Sequence, residues 1–365
     1  MSECAPLLDL TESNPTRAVL DYPDDAILAA AYDKAVLDYN PDPKGLFEAR
    51  EAVAQYYTDR DAEVDPAQIV LTASTSEAYS YLFKLLADPG DEILVPRPSY
   101  PLFEYLAAME SVAVKQYPLH YDGQWRINMD ALEKLAGAKT RALVLVNPNN
   151  PTGSFLKRDQ WQQLEAFAES RGIAILSDEV FSDYGWGEDA KRIESLTQVG
   201  GNVLRFSMSG LSKVCGLPQM KLGWIVANGA DSEKALNGLD WIADTFLSVA
   251  TPAQVALPRL FDAGRGVQEQ ILQRTRNNFA ELQRVFDENS ACQALTVEGG
   301  WYATLQIPNT RDEEAWCLAL LDQCDVRVQP GFFYDFENEA YLVLSLLTEP
   351  TVFAEGIARI RDFVR

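Results

Sequence analysis

Histidine is nearly absent from this sequence: His120 is the single example in 365 residues. That excludes multi-histidine metal sites and argues against a histidine-based nucleophile triad, so proton transfer, if there is any, falls to another residue type. Cysteine is also sparse. Cys4, Cys215, Cys292, Cys317 and Cys324 are odd in number, widely spaced, and never form a Cys-x-x-Cys pair, so neither a disulfide framework nor a thiolate zinc site is expected. Positive charge is the third shortage. Against 54 acidic residues stand 31 basic ones, a net charge of −23. Such a surface repels nucleic acid and anionic lipid, and neither is expected as a partner. No stretch approaches the roughly 20 apolar residues of a membrane span. The N-terminal stretch "MSECAPLLDLTESNPTR" lacks the basic start and apolar core of a signal peptide. The chain reads as a cytoplasmic protein.

What is present is an ordinary globular composition, 47% hydrophobic and 23% charged. The length exceeds what one small core holds, which suggests a large domain with a smaller companion. Short apolar runs recur at 68–72, 92–96, 112–118, 141–148, 173–179, 202–209 and 222–228. Amphipathic stretches such as "KRDQWQQLEAFAESRG" lie between several of them. Strands alternating with helices predict an α/β fold with a largely parallel, buried sheet. Beyond residue 250 the pattern turns to long helices and scattered short strands, which predicts a second, smaller α+β unit.

In such sheets ligands bind beyond the carboxyl ends of the strands. The loops there are 73–77, 96–101, 147–153, 178–184 and 209–221, and each is unusual. "NPNNPTG" (147–153) reads as a well-formed turn or as a loop presenting Asn149 and Asn150. Asp178 ends an apolar strand, where an acid needs a partner: backbone N–H groups or a buried cation. "TASTSEAY" (72–79) offers either an ordinary N-cap, from Thr75 or Ser76, or an anion site at a helix start. Tyr100, between prolines, either packs or stacks on an aromatic ligand. "SGLSKVCGLPQMKLGW" (209–224) sets Lys213 and Lys221 eight positions apart on a glycine-punctuated loop.

Taken in order, Asn-Pro-Thr-Gly, an Asp 28 positions beyond Asn150, and Ser-Lys with the lysine 35 beyond Asp178 resemble the class I/II aminotransferases. These are pyridoxal 5′-phosphate (PLP) enzymes of fold type I. The likeness extends from "SNPT" (13–16) and "DYNPDPKGLFEAREAV" (38–53) to "GGWYATL" (299–305). It implies a large domain with a mostly parallel seven-stranded sheet sandwiched by helices, spanning 46–255. An N-terminal arm, 1–45, would share in a small α+β domain spanning 256–365. It also implies that Lys213 forms the Schiff base with PLP and shuttles the proton, while Asp178 pairs with the pyridine nitrogen. Asn150 would bond the phenolic oxygen and Tyr100 would stack on the ring. Ser74, Thr75, Ser76, Ser212 and Lys221 would hold the phosphate. Tyr39 would reach the phosphate of a neighbouring subunit, which implies a homodimer with shared active sites.

Three positions depart from the family pattern. Phe181 stands where a tyrosine usually bonds the phenolic oxygen, and Tyr184 is a candidate to compensate. Lys221 replaces an arginine, keeping the charge but losing the bidentate fork. Val343 replaces the arginine that grips the substrate carboxylate, leaving Arg17, Arg97 and Arg327, with Asn14, as substitutes. Trp301, Tyr302, Phe332 and Phe333 read as pocket lining or as core. The resemblance implies transfer of an amino group from an amino acid or amine to a keto acid or aldehyde. A lyase, decarboxylase, cyclase or oxidase on the same scaffold is the alternative, because PLP leaves the choice of bond to the pocket. A PLP-binding regulatory module is the third reading, and the net charge of −23 disfavours it.

Overall fold

The structure, a computed structural model, describes residues 6–338 and 340–364; Cys4 lies outside them. Its fourteen strands, in chain order, begin with β1 (Leu8–Asp9) and β2 (Ile69–Thr72). There follow β3 (Glu92–Arg97), β4 (Ala113–Tyr121), β5 (Trp125–Ile127), β6 (Thr140–Val146), β7 (Ala174–Asp178), β8 (Arg205–Gly210) and β9 (Gly223–Asn228). The last five are β10 (Gln293–Ala294), β11 (Tyr302–Gln306), β12 (Val326–Arg327), β13 (Gln329–Pro330) and β14 (Tyr341–Ser345).

Strands β2 to β9 form one sheet in the order β2-β9-β8-β7-β6-β3-β4-β5. The run from β8 to β4 is parallel, whereas β9 enters antiparallel between β2 and β8, and β5 pairs antiparallel with β4. Strands β2, β7 and β8 are buried along their whole length, as expected where helices cover both faces. The sheet has eight strands, one more than the seven expected. The extra strand is short, three residues, and follows a tight turn through Asp122 and Gly123 (φ 97°) that folds β4 back on itself. An Asp-Gly pair is a hairpin signal, and here it was the only cue.

The helix Arg158–Arg171 stops at Gly172, whose left-handed φ of 63° closes its end. The helix Thr251–Val285 runs unbroken for 35 residues past the expected division at 255/256. Its start packs against the cluster under β2 and β9, and its end packs against the second sheet. That sheet, β10-β11-β14-β13, is antiparallel and is backed by the helices Glu313–Cys324 and Pro350–Val364. The N-terminal segment packs beside it: β1 pairs in parallel with β12 in a separate two-stranded sheet, and Leu10 is fully buried in the same cluster. Among the described residues no helix is long and apolar enough to cross a membrane.

Candidate active site

Register brings the candidate loops together. Val146, Asp178 and Met208 are direct neighbours across β6, β7 and β8. Thr72, Gly223 and Gly210 are neighbours across β2, β9 and β8. The segments carrying Asn150, Asp178, Lys213 and the helix start after β2 therefore leave the same sheet edge. Two glycines permit the close approach. A Cβ on Gly210 would sit 2.9 Å from the Gly223 Cα, and one on Gly223 would sit 3.3 Å from the Ser74 carbonyl carbon. With no side chain at either position, the return from Lys221 lies against the start of helix Thr75–Leu86.

Asp178 is buried at the end of β7. Its Oδ2 accepts from the Tyr79 hydroxyl at 3.1 Å and its Oδ1 from the Val180 N–H at 3.2 Å. Burial raises its pKa to about 6, against the pull of those two bonds and of the positive Lys213. Lys213 lies in the short helical turn Leu211–Val214. Its Nζ stands 4.8 Å from the Trp301 ring centroid and 5.6 Å from that of Phe181. Burial lowers its pKa to about 8, with the Asp178 charge acting in the opposite direction. A lysine poised there is partly neutral near physiological pH, as a nucleophile or general base must be. Tyr79, on the helix face one turn after Thr75, was not singled out from sequence, although its spacing placed it under the loop.

In the loop after β6 the three asparagines divide their work. Asn147 donates to the Ile193 carbonyl at 2.8 Å and accepts from Leu156 N–H at 2.9 Å. Asn149 accepts from the Thr152 hydroxyl at 2.9 Å. Both hold the loop. Asn150 is buried, yet its Oδ1 has no hydrogen-bond partner, which leaves an acceptor open to a ligand. Gly153, at φ 66°, passes so close to the second-sheet segment that a Cβ would meet Val297 at 2.4 Å and the Gly299 carbonyl at 2.5 Å.

The remaining candidates lie around this centre. Ser74, rather than Thr75 or Ser76, caps the helix Thr75–Leu86: its hydroxyl accepts from Glu77 N–H at 3.2 Å and keeps its own O–H to donate. Thr75 and Ser76 remain half-buried in the first turn, where backbone N–H groups and the helix dipole favour an anion. Ser212 is half-buried beside Lys213, and Lys221 is exposed in a left-handed conformation at φ 50°. Tyr184 does not take over from Phe181, because its hydroxyl donates to the Lys213 carbonyl at 2.5 Å and fixes the lysine's backbone instead. Tyr100 stands at the rim, its phenol raised by burial and then by the nearby Asp178 and Tyr302. Tyr39 lies far out, 81% exposed. Asn14 caps the turn Pro15–Arg17, accepting from Thr16. Arg327 pairs with Asp9 at 3.1 Å and Arg97 pairs with Glu337, both in ion pairs open to solvent. Trp301 is fully buried and yet touches the lysine; Phe332 and Phe333 are half-exposed.

A cavity of about 640 Å³ lies behind the lysine turn, lined by Val214, Cys215, Tyr56, Arg60 and Asp183 but not by Lys213. Its buried Asp183 is already paired with Arg60, and the chemistry stays at the sheet edge. There the residues fit PLP: a buried carboxylate for a protonated ring nitrogen, an unpartnered asparagine oxygen, a poised lysine and an anion-favouring helix start.

Comparison with known proteins agrees with this arrangement. Tyrosine aminotransferase of Homo sapiens is 32% identical over 87% of this chain and 71% of its own length. An S-alkyl-thiohydroximate lyase of Arabidopsis thaliana is 28% identical over 87% of this chain and 71% of its own. The alanine aminotransferase structure from Pyrococcus furiosus superposes with a TM-score of 0.88 at 22% identity, covering 99% of this chain and 92% of that one, and so shares the fold. Residues 5–352 match the family described as Aminotransferase class I and II. With that match over nearly its whole length, and with the lysine, aspartate and asparagine gathered at one sheet edge, the chain belongs to the class I and II aminotransferase family.

Proposed function

We propose that this transaminase uses PLP, held by Lys213, to move an amino group from an amino acid or amine donor to a keto acid or aldehyde acceptor. The observation that carries this reading is the register of β6, β7 and β8, which sends the segments bearing Asn150, Asp178 and Lys213 off the same end of the sheet, with Asp178 and Lys213 near enough for each charge to act on the other. Bound there, PLP would supply an electron sink for the electron pair left when a bond at the donor's α-carbon breaks. The chain's own residues do the rest. Lys213 Nζ would attach the cofactor and would take and return the donor's α-proton, which a group titrating near 8 does well at neutral pH. Asp178 would offer its carboxylate to the pyridine nitrogen, with Tyr79 and Val180 fixing that carboxylate. Asn150 would bond the phenolic oxygen, Tyr100 would cover the ring, and Ser74, Thr75, Ser76, Ser212 and Lys221 would receive the phosphate. Trp301 and Phe181 keep water from the lysine. Tyr39, with exposed Tyr32 and Leu37 near it, supports a homodimer in which this tyrosine completes the partner's site. We place the enzyme in the cytoplasm, acting on small molecules.

Borohydride reduction followed by peptide mass mapping tests the anchor: the adduct belongs on Lys213, and an adduct elsewhere, or none, removes the assignment. With acceptor withheld, an amino donor gives about one equivalent of keto product per site. Ammonia, carbon dioxide or sulfide in its place identifies a lyase-type reaction.

A further inference from the structure

Lys213 hangs from a single helical turn, Leu211–Val214, and one turn leaves its carbonyls without the partners that a longer helix supplies. Inside a protein such carbonyls need other donors. Here three side chains provide them. The Tyr184 hydroxyl donates to the Lys213 carbonyl at 2.5 Å, where the Gly216 N–H comes only to 3.3 Å. Gln268 Nε2 donates to the Val214 carbonyl at 2.9 Å, and the Tyr22 hydroxyl to the Gly216 carbonyl at 2.7 Å. The donors come from three separate places: the loop after β7, the helix Thr251–Val285 and the N-terminal segment.

Each donor is itself held. Gly264 lies so close to the turn that a Cβ there would stand 2.5 Å from that of Cys215. The helix therefore presses on the turn, and Gln268, four residues on along the same face, reaches Val214. Gln270 exchanges two bonds of 2.9 Å with the backbone of Asp21, beside Tyr22. Tyr184 is fully buried, its ring edge-on to Trp301 at 5.3 Å. Trp301 and Phe181 belong to the same cluster and face the Lys213 ammonium. One set of packed residues thus fixes both the backbone of the lysine and the surroundings of its Nζ.

We propose that Tyr184, Gln268 and Tyr22 are positioning residues for Lys213: by gripping the carbonyls of its turn they hold Nζ against Trp301, within reach of the Asp178 charge and out of water, so that the amine stays reactive. This rests on Lys213 being the reactive amine of the proposed function. Few charges surround that amine. Asp178 from β7 is the one that acts on it, and with a pKa of about 6 it is ionised throughout the range in which the lysine titrates. The Tyr184 and Tyr22 phenols and the Cys215 thiol are raised by burial and stay neutral there, while Asp183 behind Tyr184 is paired with Arg60. Burial outweighs Asp178 in setting the lysine, so a turn released toward water should titrate higher.

Competitive labelling of the full-length apoprotein with trace acetic anhydride, read by mass at the Lys213 peptide across pH, measures that titration without cofactor. Lys213 is half-buried, so a small reagent can reach it. The parent midpoint should lie at about 8. Tyr184→Phe and Gln268→Met should each raise it by about one unit, which lowers the neutral fraction at pH 7 about tenfold. Tyr22→Phe, farther from the lysine along the turn, should raise it less. Tyr117→Phe is the control: its hydroxyl donates to the Val144 carbonyl at 2.7 Å, so a bond of the same kind is lost away from the turn and the midpoint should not move. A midpoint unmoved in Tyr184→Phe and Gln268→Met, or moved as far by Tyr117→Phe, overturns the proposal. Borohydride mapping is read separately. A PLP adduct on another lysine removes the assignment of the anchor, whereas a midpoint that follows the three donors still establishes the grip on Lys213.

Discussion

The two walls of the site are built on opposite principles. On the large-sheet side the reactive groups sit at strand ends: Asp178 closes β7, and Lys213 follows β8 within one turn. Their charge states are set by burial, upward for the aspartate and downward for the lysine. On the second-sheet side the groups sit mid-strand, and alternation chooses them: Tyr302 and Thr304 from β11, Val343 from β14, all neutral. Strand ends place charge where water and ligand can reach it, whereas a strand centre buries whatever it carries. On the proposed function, the first wall serves a cofactor's charges and the second varies with the substrate.

The sharpest way to break the contrast is to remove the lysine. Lys213→Ala should reduce kcat by about 10⁴-fold or more, the scale of a lost nucleophile and proton carrier together, with the fold retained by circular dichroism. Val343→Ala, on the other wall, should leave kcat within about tenfold. A comparable collapse in both would show that the walls do not divide the work in this way.

Asp178→Asn comes next, and its effect on stability is opposite to its effect on rate. The folded-state pKa is raised from 3.8 to about 6, so the folded apoprotein binds the proton more tightly than the unfolded chain does. Stability from this group is full below about pH 4, falls as pH rises to about 6, and is flat above. At pH 7 the ionised aspartate therefore costs the apoprotein something on the order of 2–3 kcal/mol. Asp178→Asn should lose most activity while unfolding at higher urea in the apo form at pH 7, and the gain should vanish at pH 4. An apo variant less stable than the parent at pH 7 would refute the sign.

Gly153→Ala sits where the walls touch. Its positive φ and the 2.4 Å approach to Val297 leave no room for a methyl group, so the loop holding Asn150 must shift. The expected cost is about 1–3 kcal/mol, read by urea unfolding, with weaker PLP binding beside it. Gly172→Ala, equally left-handed but with nothing within 4 Å of its Cβ, is the control and should cost less.

The first wall was the legible one. Apolar runs stopping at a polar residue marked the loops that carry Asn150, Asp178 and Lys213, and the order and spacing shared with the aminotransferases singled out those three. The eighth strand was missed because three residues after a turn carry too little periodicity. The roles of Tyr79 and Tyr184 were missed because one hydroxyl on a helix face, or one in a loop, has no pattern to mark its partner. The second wall was legible only as a departure, Val343, since sequence shows what a strand carries but not which charges elsewhere are already paired. It took the ion pairs of Arg97 and Arg327 to separate them from Arg17.

The smallest expected effect belongs to Lys221, an exposed cation of the first wall. It is exposed and makes no ion pair among the described residues, so Lys221→Ala should leave urea unfolding of the apoprotein within about 0.5 kcal/mol. Its consequence should be confined to the cofactor. The dissociation constant for PLP should rise by about three- to tenfold, less than a buried charge-assisted bond would give, because water and salt screen the phosphate contact. The rise should shrink as ionic strength increases. A loss of affinity independent of salt would mean that the lysine acts through the shape of its left-handed turn, and Lys221→Gly would then bind PLP as well as the parent.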